Sequence, residues 1–489
     1  MSARPNILVI CTDQHRYDVI STHPGSVART PHLQRLADQG AVFEGCYAPS
    51  PVCAPTRASL LTGQYPSQHG LWSNGVTLPE GAPLVSRELA DAGYRCGLVG
   101  KLHLAAAFQG TTEQRLDDGF EDFRWAHDPF HGSPENAYHR WLRERHPALW
   151  EKAVGDVVTP EVTGFTHADT AFDGMPTEAH YSTWVTEETE DFIRRAADDE
   201  RPFFLVANFF DPHHPFVAPS EYLAAYPPGS VPPPVGGPSE LDGKPDVQRD
   251  ASCSSYVGHG PSFPDFDEQG IDEIRRTYYA MVSLVDDCVG RILATLDAAG
   301  LADDTLVIFT SDHGEMLGDH AMLLKGPMMY DPAVRVPMII RWPGRLSGGV
   351  RVEDGFVGVH DVAATVRRAA GLAAVPLDQG FDLVDVARGE TAPRGYALSQ
   401  YRNAGYPYEP EVLTTMLRTS DHKIVVWHGA PATDRQRQGE LYDLANDPDE
   451  LVNLWDVPEH ATVKARLLAE FADVLVSLED RTARRVHPW

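Results

Sequence analysis

The 489-residue sequence is short of cysteine, short of positive charge and without a long apolar run. Its six cysteines, at 11, 46, 53, 96, 253 and 288, show neither paired metal spacing nor a disulfide framework. They read as reduced, mostly buried thiols. Only 41 Lys+Arg stand against 70 Asp+Glu, a formal net charge of −29, which favours solubility and repels polyanions. Nucleic acid and acidic membrane surfaces are therefore not expected partners, and an anionic substrate needs a local positive pocket. No stretch approaches the roughly 20 apolar residues of a membrane span. The apolar run in "MSARPNILVICTDQ" is too short for a signal-peptide core. The expectation is a soluble, cytoplasmic protein, and the length favours two unequal domains over one.

What is present has a repeating grammar. "NILVICTD" is a short apolar run with a polar end, the signature of a buried strand. "HLQRLADQGAVFEGCYA" and "LVSRELADAGYRCGLVGKLHL" each read as helix, glycine stop and strand, while "RPFFLVANFFDPHHPF" and "DTLVIFTSDHGE" are strands ending in acids and histidines. Strands alternating with helices predict an α/β fold, a large and mostly parallel sheet covered by helices on both faces, with ligands at the carboxyl ends of its strands. Residues 1–374 are expected to form this domain. Within it, 217–270 is rich in Pro, Gly, Ser and Asp without periodicity, which reads as a lid shaping the substrate pocket or as a disordered bulge. From 375 to 489, "GYALSQY", "TTMLRTSDHKIVVWH" and "GELYDL", followed by the helix "EHATVKARLLAEFADVLVSL", predict a smaller α+β domain with an antiparallel sheet. The tail "RRVHPW" (484–489) could pack on its own domain or on a second subunit, so a homo-oligomer is left open.

The strand ends carry the chemistry. They offer Asp13 and Gln14, Lys101 and His103, His213 and His214, and Asp312 and His313, with Lys325 nearby. Lys101 and His103, two apart, lie on one side of an extended segment. Asp, Gln, Asp and His form a mainly oxygen-donor set for a hard divalent cation, and lysines around it describe a pocket for a doubly charged tetrahedral oxyanion. Singly, each has a plain reading: an Asp after a strand is commonly a cap or turn former, and His15 and His69 are read as structural. Convergence of five strand ends is what argues for a site. "VCAPTRASLLTG" (52–63) adds Cys53 and Arg57 about one turn apart at a helix amino terminus, where an anion is favoured. Pro55 sits in the first turn and Gly63 ends the helix. A thiolate nucleophile is one reading, but soft sulfur matches a hard cation poorly.

"CAPTR" followed by "ASLLTG" resembles the sulfatase signature, in which such a cysteine is oxidised after translation to formylglycine. The resemblance covers nearly the whole chain: "NILVICTDQHRYD", "GKLHL", "PHHPF", "TSDHGEMLGDH", "LLKGPMMYDPAVRVPMIIRWPG" and "ELYDLANDPDELVNL" resemble further family segments in order. It places the chain in the sulfatase branch of the alkaline phosphatase superfamily. The implied metal ligands are Asp13, Gln14, Asp312, His313 and the oxygen of modified Cys53, with calcium foremost and manganese or magnesium as alternatives. Arg57 would hold the aldehyde hydrate, Lys101 and Lys325 the sulfate oxygens, and His213, the histidine of Pro-His-x-Pro-Phe, the leaving-group side. His103 would deprotonate the second hydroxyl of the hydrate, and Asn74 is a further substrate contact. One hydroxyl attacks sulfur and expels the alcohol; loss of the other's proton then collapses the hemiacetal to aldehyde and sulfate, and water restores the hydrate. The implied partners are a small sulfate ester and, during maturation, the formylglycine-generating enzyme.

Gln14 and His313 depart from the two aspartates and the asparagine of many sulfatases and resemble bacterial members that include phosphonate monoester hydrolases and choline sulfatases. The alternative function is therefore phosphonate monoester or phosphodiester hydrolysis, although the Lys101–His103 pair resembles sulfatases more. A catalytically dead binding protein would have lost Cys53, Arg57 or a lysine, and a thiol phosphatase uses a longer cysteine-to-arginine loop.

Overall fold

The computed structural model describes residues 4–108, 110–151, 176–375, 377–428 and 438–480; the tail 484–489 lies outside them. In chain order the first strands are β1 (Asn6–Thr12), β2 (Ala41–Phe43), β3 (Cys46–Tyr47), β4 (Arg95–Gly100), β5 (Asp122–Trp125), β6 (Phe203–Asn208), β7 (Thr305–Ser311), β8 (Met338–Arg341), β9 (Val350–Val352) and β10 (Val357–Gly358). Among the described residues, eight form one sheet in the order β5-β4-β6-β1-β7-β8-β2-β9, and β3 pairs with β10.

Side-chain alternation explains why β1, β4, β6 and β7 are apolar almost throughout. Ile7, Val9, Phe204, Val206, Leu306 and Ile308 enter one core layer, and Leu8, Ile10, Leu205, Ala207, Val307 and Phe309 enter the other. Each such fully buried Ile, Leu or Phe contributes about 1.5–3 kcal/mol relative to exposure. Helices Cys53–Thr62, Val85–Asp91 and Asp361–Ala369 cover the first face; Pro31–Asp38, Tyr181–Ala196 and Glu268–Ala298 cover the second. This is the expected helix-covered α/β architecture. The strands from β5 to β7 are parallel, whereas β8 runs antiparallel to β7, because the chain between them forms short turns in place of a full crossover helix.

The register places the site. Thr12 of β1 pairs with Ser311 of β7, while Cys11 of β1 and Gly100 of β4 both pair with Asn208 of β6. Asp13, Asp312 and Lys101 follow immediately, so all three leave the sheet at the same edge.

The smaller sheet is antiparallel, β11 (Ala397–Arg402), β12 (Leu413–Arg418), β13 (His422–His428) and β14 (Gly439–Asp443) in sequence order. Leu398, Leu417, Ile424 and Leu441 pack under the helix Ala461–Ser477, and Met416, Val425, Trp427 and Tyr442 face the main body. Lys423 points to that second side and is fully buried, its Nζ 2.7 Å from Asp331 and 2.5 Å from Glu450. Beside it, Lys244 Nζ donates to Tyr330 Oη at 3.1 Å, Tyr442 Oη at 2.9 Å and the Glu450 carbonyl at 2.6 Å. Lys244 belongs to 217–270, and here the structure corrects one of the two sequence readings, the disordered bulge. That segment carries the helices Ser220–Leu223 and Asp246–Cys253 and several single turns. Leu241, Val247 and Ala251 are buried with the C-terminal sheet. Each of these helices starts after a proline, Pro219 or Pro245, and is too short to show a sustained apolar period, which hid it from the pattern. Among the described residues no helix is long and apolar enough to cross a membrane.

Candidate active site

The helix Cys53–Thr62 begins where Val52 holds extended backbone and ends at Gly63, whose φ of 77° is left-handed. A Cβ there would lie 2.6 Å from Asp378 Oδ1, so glycine fits the stop twice over. Valine cannot cap the amino terminus; Asn74 does so instead, its Oδ1 accepting the Ala54 N–H at 3.1 Å. Asn74, expected as a substrate contact, thus has a structural task beside Cys53. Cys53 opens the helix fully buried, its Sγ 3.1 Å from Lys325 Nζ, 3.1 Å from His313 Nε2 and 3.7 Å from Asp13 Oδ1. Burial and Asp13 push the thiol up, but Lys101, Lys325 and His313 outweigh them and hold it below its ordinary value.

Arg57, one turn on, is locked from two sides. Its Nε donates to Asp312 Oδ2 at 2.8 Å and its Nη2 to Asp13 Oδ2 at 3.2 Å. Lys101 Nζ also donates to Asp13 Oδ2, at 2.7 Å. Burial alone would protonate Asp13, yet Lys101, Arg57 and Lys325 hold it far below the usual carboxylate range. Gly100, with φ of 97°, ends β4 where a Cβ would lie 1.9 Å from the Asn208 carbonyl, so the chain can turn Lys101 toward Asp13. The extended reading of Lys101–His103 fails at His103, whose φ of 63° is left-handed. Glu113 holds that turn by accepting the N–H groups of His103, Leu104 and Ala105. His103 is buried and neutral: burial, His127 and Lys101 depress its pKa, and its Nδ1 has no hydrogen-bond partner.

Asp13, Cys53, Asp312 and His313 offer ligand atoms all within 4.8 Å of one another. His313 Nδ1 lies 2.9 Å from the Gly314 carbonyl, which fixes the hydrogen there and leaves the Nε2 lone pair facing the cluster. Burial opposes charge on His313, as does Lys325, yet Asp312 and Cys53 raise its pKa. Negative charge that raises affinity for a proton at Nε2 also raises it for a cation, so the donor set fits a hard divalent ion. Gln14 joins from a left-handed backbone, φ 70°, its N–H donating to Asp312 Oδ1 at 3.0 Å. Its Oε1 accepts from Lys325 Nζ at 2.8 Å.

Glu315 was not anticipated from the sequence. It is fully buried, accepts the Leu317 N–H at 2.9 Å and the Leu324 N–H at 2.5 Å, and receives the Gln14 amide N–H on Oε2. That contact decides which end of the Gln14 amide faces the cluster. Its only trace in the sequence was its place in "SDHGE". His214 was also set aside, yet its Nδ1 lies 3.2 Å from Gln14 Nε2; His213 stacks against it at 3.9 Å and packs on Phe210. Both rings are kept neutral by burial first. His15 and His69 are structural as read: His15 Nε2 lies 2.8 Å from the Val19 carbonyl and His69 Nε2 3.0 Å from Ser59 Oγ.

With this geometry in hand, comparison with known proteins is specific. The family model for Sulfatase matches residues 5–372, and that for the C-terminal part of N-sulphoglucosamine sulphohydrolase matches 318–476. The chain is 30% identical to a choline-sulfatase of Rhizobium meliloti over 99% of its own length and 88% of that protein's. It is 28% identical to an arylsulfatase of Clostridium perfringens, over 94% and 91% of the two chains. The phosphonate monoester hydrolase of Agrobacterium radiobacter superposes with a TM-score of 0.83 at 26% identity, covering 98% of this chain and 97% of that one.

Proposed function

The chain belongs to the sulfatase family, and from that premise we propose that it hydrolyses a sulfate ester to an alcohol and inorganic sulfate, with residue 53 as nucleophile after oxidation of Cys53 to formylglycine. The observation that carries this reading is the position of Cys53 at a helix mouth, 3.1 Å from both Lys325 and His313 and beside two carboxylates. A divalent cation held by Asp13, Gln14, Asp312, His313 and the oxygen of residue 53 would supply Lewis acidity and lower the pKa of the attacking hydroxyl.

The chain's own groups account for the rest. Arg57, fixed by Asp13 and Asp312, neutralises negative charge beside residue 53 without having to reorganise. Lys101 and Lys325 receive the sulfate oxygens as charge-assisted donors. His213 donates its Nδ1 hydrogen to the His214 carbonyl, which leaves Nε2 for the leaving-group side; there it can donate to the departing oxygen only as the imidazolium, a form that the negative charge of a bound ester favours. His103, neutral and with Nδ1 unpartnered, takes the proton from the second hydroxyl of the hydrate.

One observation favours a second reading, phosphonate monoester hydrolysis: the whole-chain likeness to the hydrolase of Agrobacterium radiobacter. Two measurements separate the readings. The mass of the proteolytic peptide ending at Arg57, from a host with the modifying enzyme, should show an aldehyde at position 53; an intact thiol there would remove the nucleophile. Matched aryl sulfate and aryl phosphonate esters should give the higher kcat/KM for the sulfate, and the reverse order would establish the alternative.

A further inference from the structure

Tyr256 and Val257 form an unusual turn, closed by the His259 N–H donating to the Tyr256 carbonyl at 3.2 Å. Both residues are left-handed, at φ 52°, ψ 42° and φ 54°, ψ 40°. For a β-branched residue that region is an outlier, and Val257 is 42% exposed, so burial does not compensate it. What the pair achieves is the placement of Tyr256. Its ring lies 5.6 Å from that of His214, the histidine bonded to Gln14, and 6.1 Å from that of Tyr406, which stacks on His259 at 4.0 Å. The phenolic oxygen is buried without a hydrogen-bond partner. Burial first, and then the charges of Cys53, Glu315 and Asp13, keep it protonated. A buried O–H donor beside His214, with no acceptor among the described residues, is costly unless a ligand supplies one.

The surrounding segments agree. The Gly405 N–H donates to Ser73 Oγ at 3.1 Å, tying the Tyr406 turn to the loop whose Asn74 caps the Cys53 helix and whose Trp72 is 46% exposed. Segments 71–76, 254–261 and 403–408 contain aromatic residues but neither lysine nor arginine. Such a rim suits a leaving group with a flat or cationic face and offers nothing to a polyanionic chain.

We infer that Tyr256 contacts the substrate, donating its phenolic hydrogen to an oxygen of the sulfate ester, and that with Tyr406 it walls the leaving-group pocket against π-binding alcohols. This rests on the proposed function. The test compares wild type, Tyr256→Phe, Tyr406→Ala and Val257→Gly on an aryl sulfate, a quaternary-ammonium alkyl sulfate and a sulfated uronic-acid disaccharide. Tyr256→Phe, which removes one oxygen, should lower kcat/KM about tenfold or more on the better esters, with unchanged calcium affinity by calorimetry. Val257→Gly keeps the left-handed turn and should retain wild-type rates. Tyr406→Ala should cost most on whichever of the aryl and ammonium esters is natural, and least on the disaccharide. An unchanged Tyr256→Phe on every ester that wild type hydrolyses overturns the inference. Binding of the same esters to Cys53→Ala, with and without Tyr256→Phe, reads the contact without turnover. A wild type that hydrolyses none of them while Tyr256→Phe still weakens binding would reject the proposed function and leave the contact standing.

Discussion

Two of the buried charge clusters in this molecule are built from the same residue types. At the junction with the smaller sheet, Lys423 meets Asp331 and Glu450, Tyr47 donates to Asp331, and Lys244 finds two phenols and a carbonyl. At the strand ends, Arg57, Lys101 and Lys325 surround Asp13 and Asp312, with Lys325 donating to an amide and a thiol. The first set closes on itself. The second turns a lysine, a histidine and two carboxylates toward one atom, the Cys53 sulfur. Burial alone therefore does not mark a functional charge; convergence of buried charged groups on one reactive atom does.

Each cluster can be broken to sharpen that contrast. The largest effect should come from Cys53→Ala, which removes the proposed nucleophile: turnover should fall by about 10⁴-fold or more, while thermal unfolding stays within about 1 kcal/mol of wild type. Activity near the wild-type rate would exclude residue 53 from the reaction. Lys423→Met should do the opposite, lowering stability in urea by about 3–5 kcal/mol because Asp331 and Glu450 lose their buried partner, with kcat per folded molecule unchanged. A loss of kcat without a loss of stability would show that the closed cluster serves the reaction. Asp312→Asn should weaken calcium or manganese binding by about 100-fold in a calorimetric titration, at the upper end of metal-site perturbations. Unchanged affinity would displace the cation from this cluster. Glu315→Gln is the mildest change, since the new amide no longer selects one orientation of Gln14; cation affinity should drop about tenfold. A drop that Gln14→Glu failed to alter further would point to a fault in the Leu317–Leu324 turn and not in Gln14.

The two clusters also differ in how far the sequence revealed them. Asp13, Gln14, Lys101, Asp312 and His313 sit directly after strands, where a fold of this class delivers its functional groups, so element boundaries were enough to find them. Cys53 and Arg57 were legible because helix spacing sets them one turn apart. Glu315, His214 and Tyr256 depend on which turn each side chain leaves, and turns with left-handed residues such as His103, Gln14 and Val257 follow no period. Lys423 and Lys244 were invisible for another reason. A lysine inside a strand or after a proline-rich turn looks solvent-exposed until a distant acid or phenol is found to cover it. The order within 217–270 was hidden on the same ground: its helices are short, and Leu241, Val247 and Ala251 are covered by the distant C-terminal sheet.

The pairing of β1 with β7 sets a timetable. Lys325 follows Cys53 by 272 positions, and Asp312 arrives only with the strand that completes the neighbouring register. While the chain emerges from the ribosome, residue 53 is thus made early and enclosed late. Parallel pairing across so long a loop is slow to close, so until then the cysteine is still an ordinary, reachable peptide side chain. Once β7 docks, the same cysteine is sealed at 1% exposure.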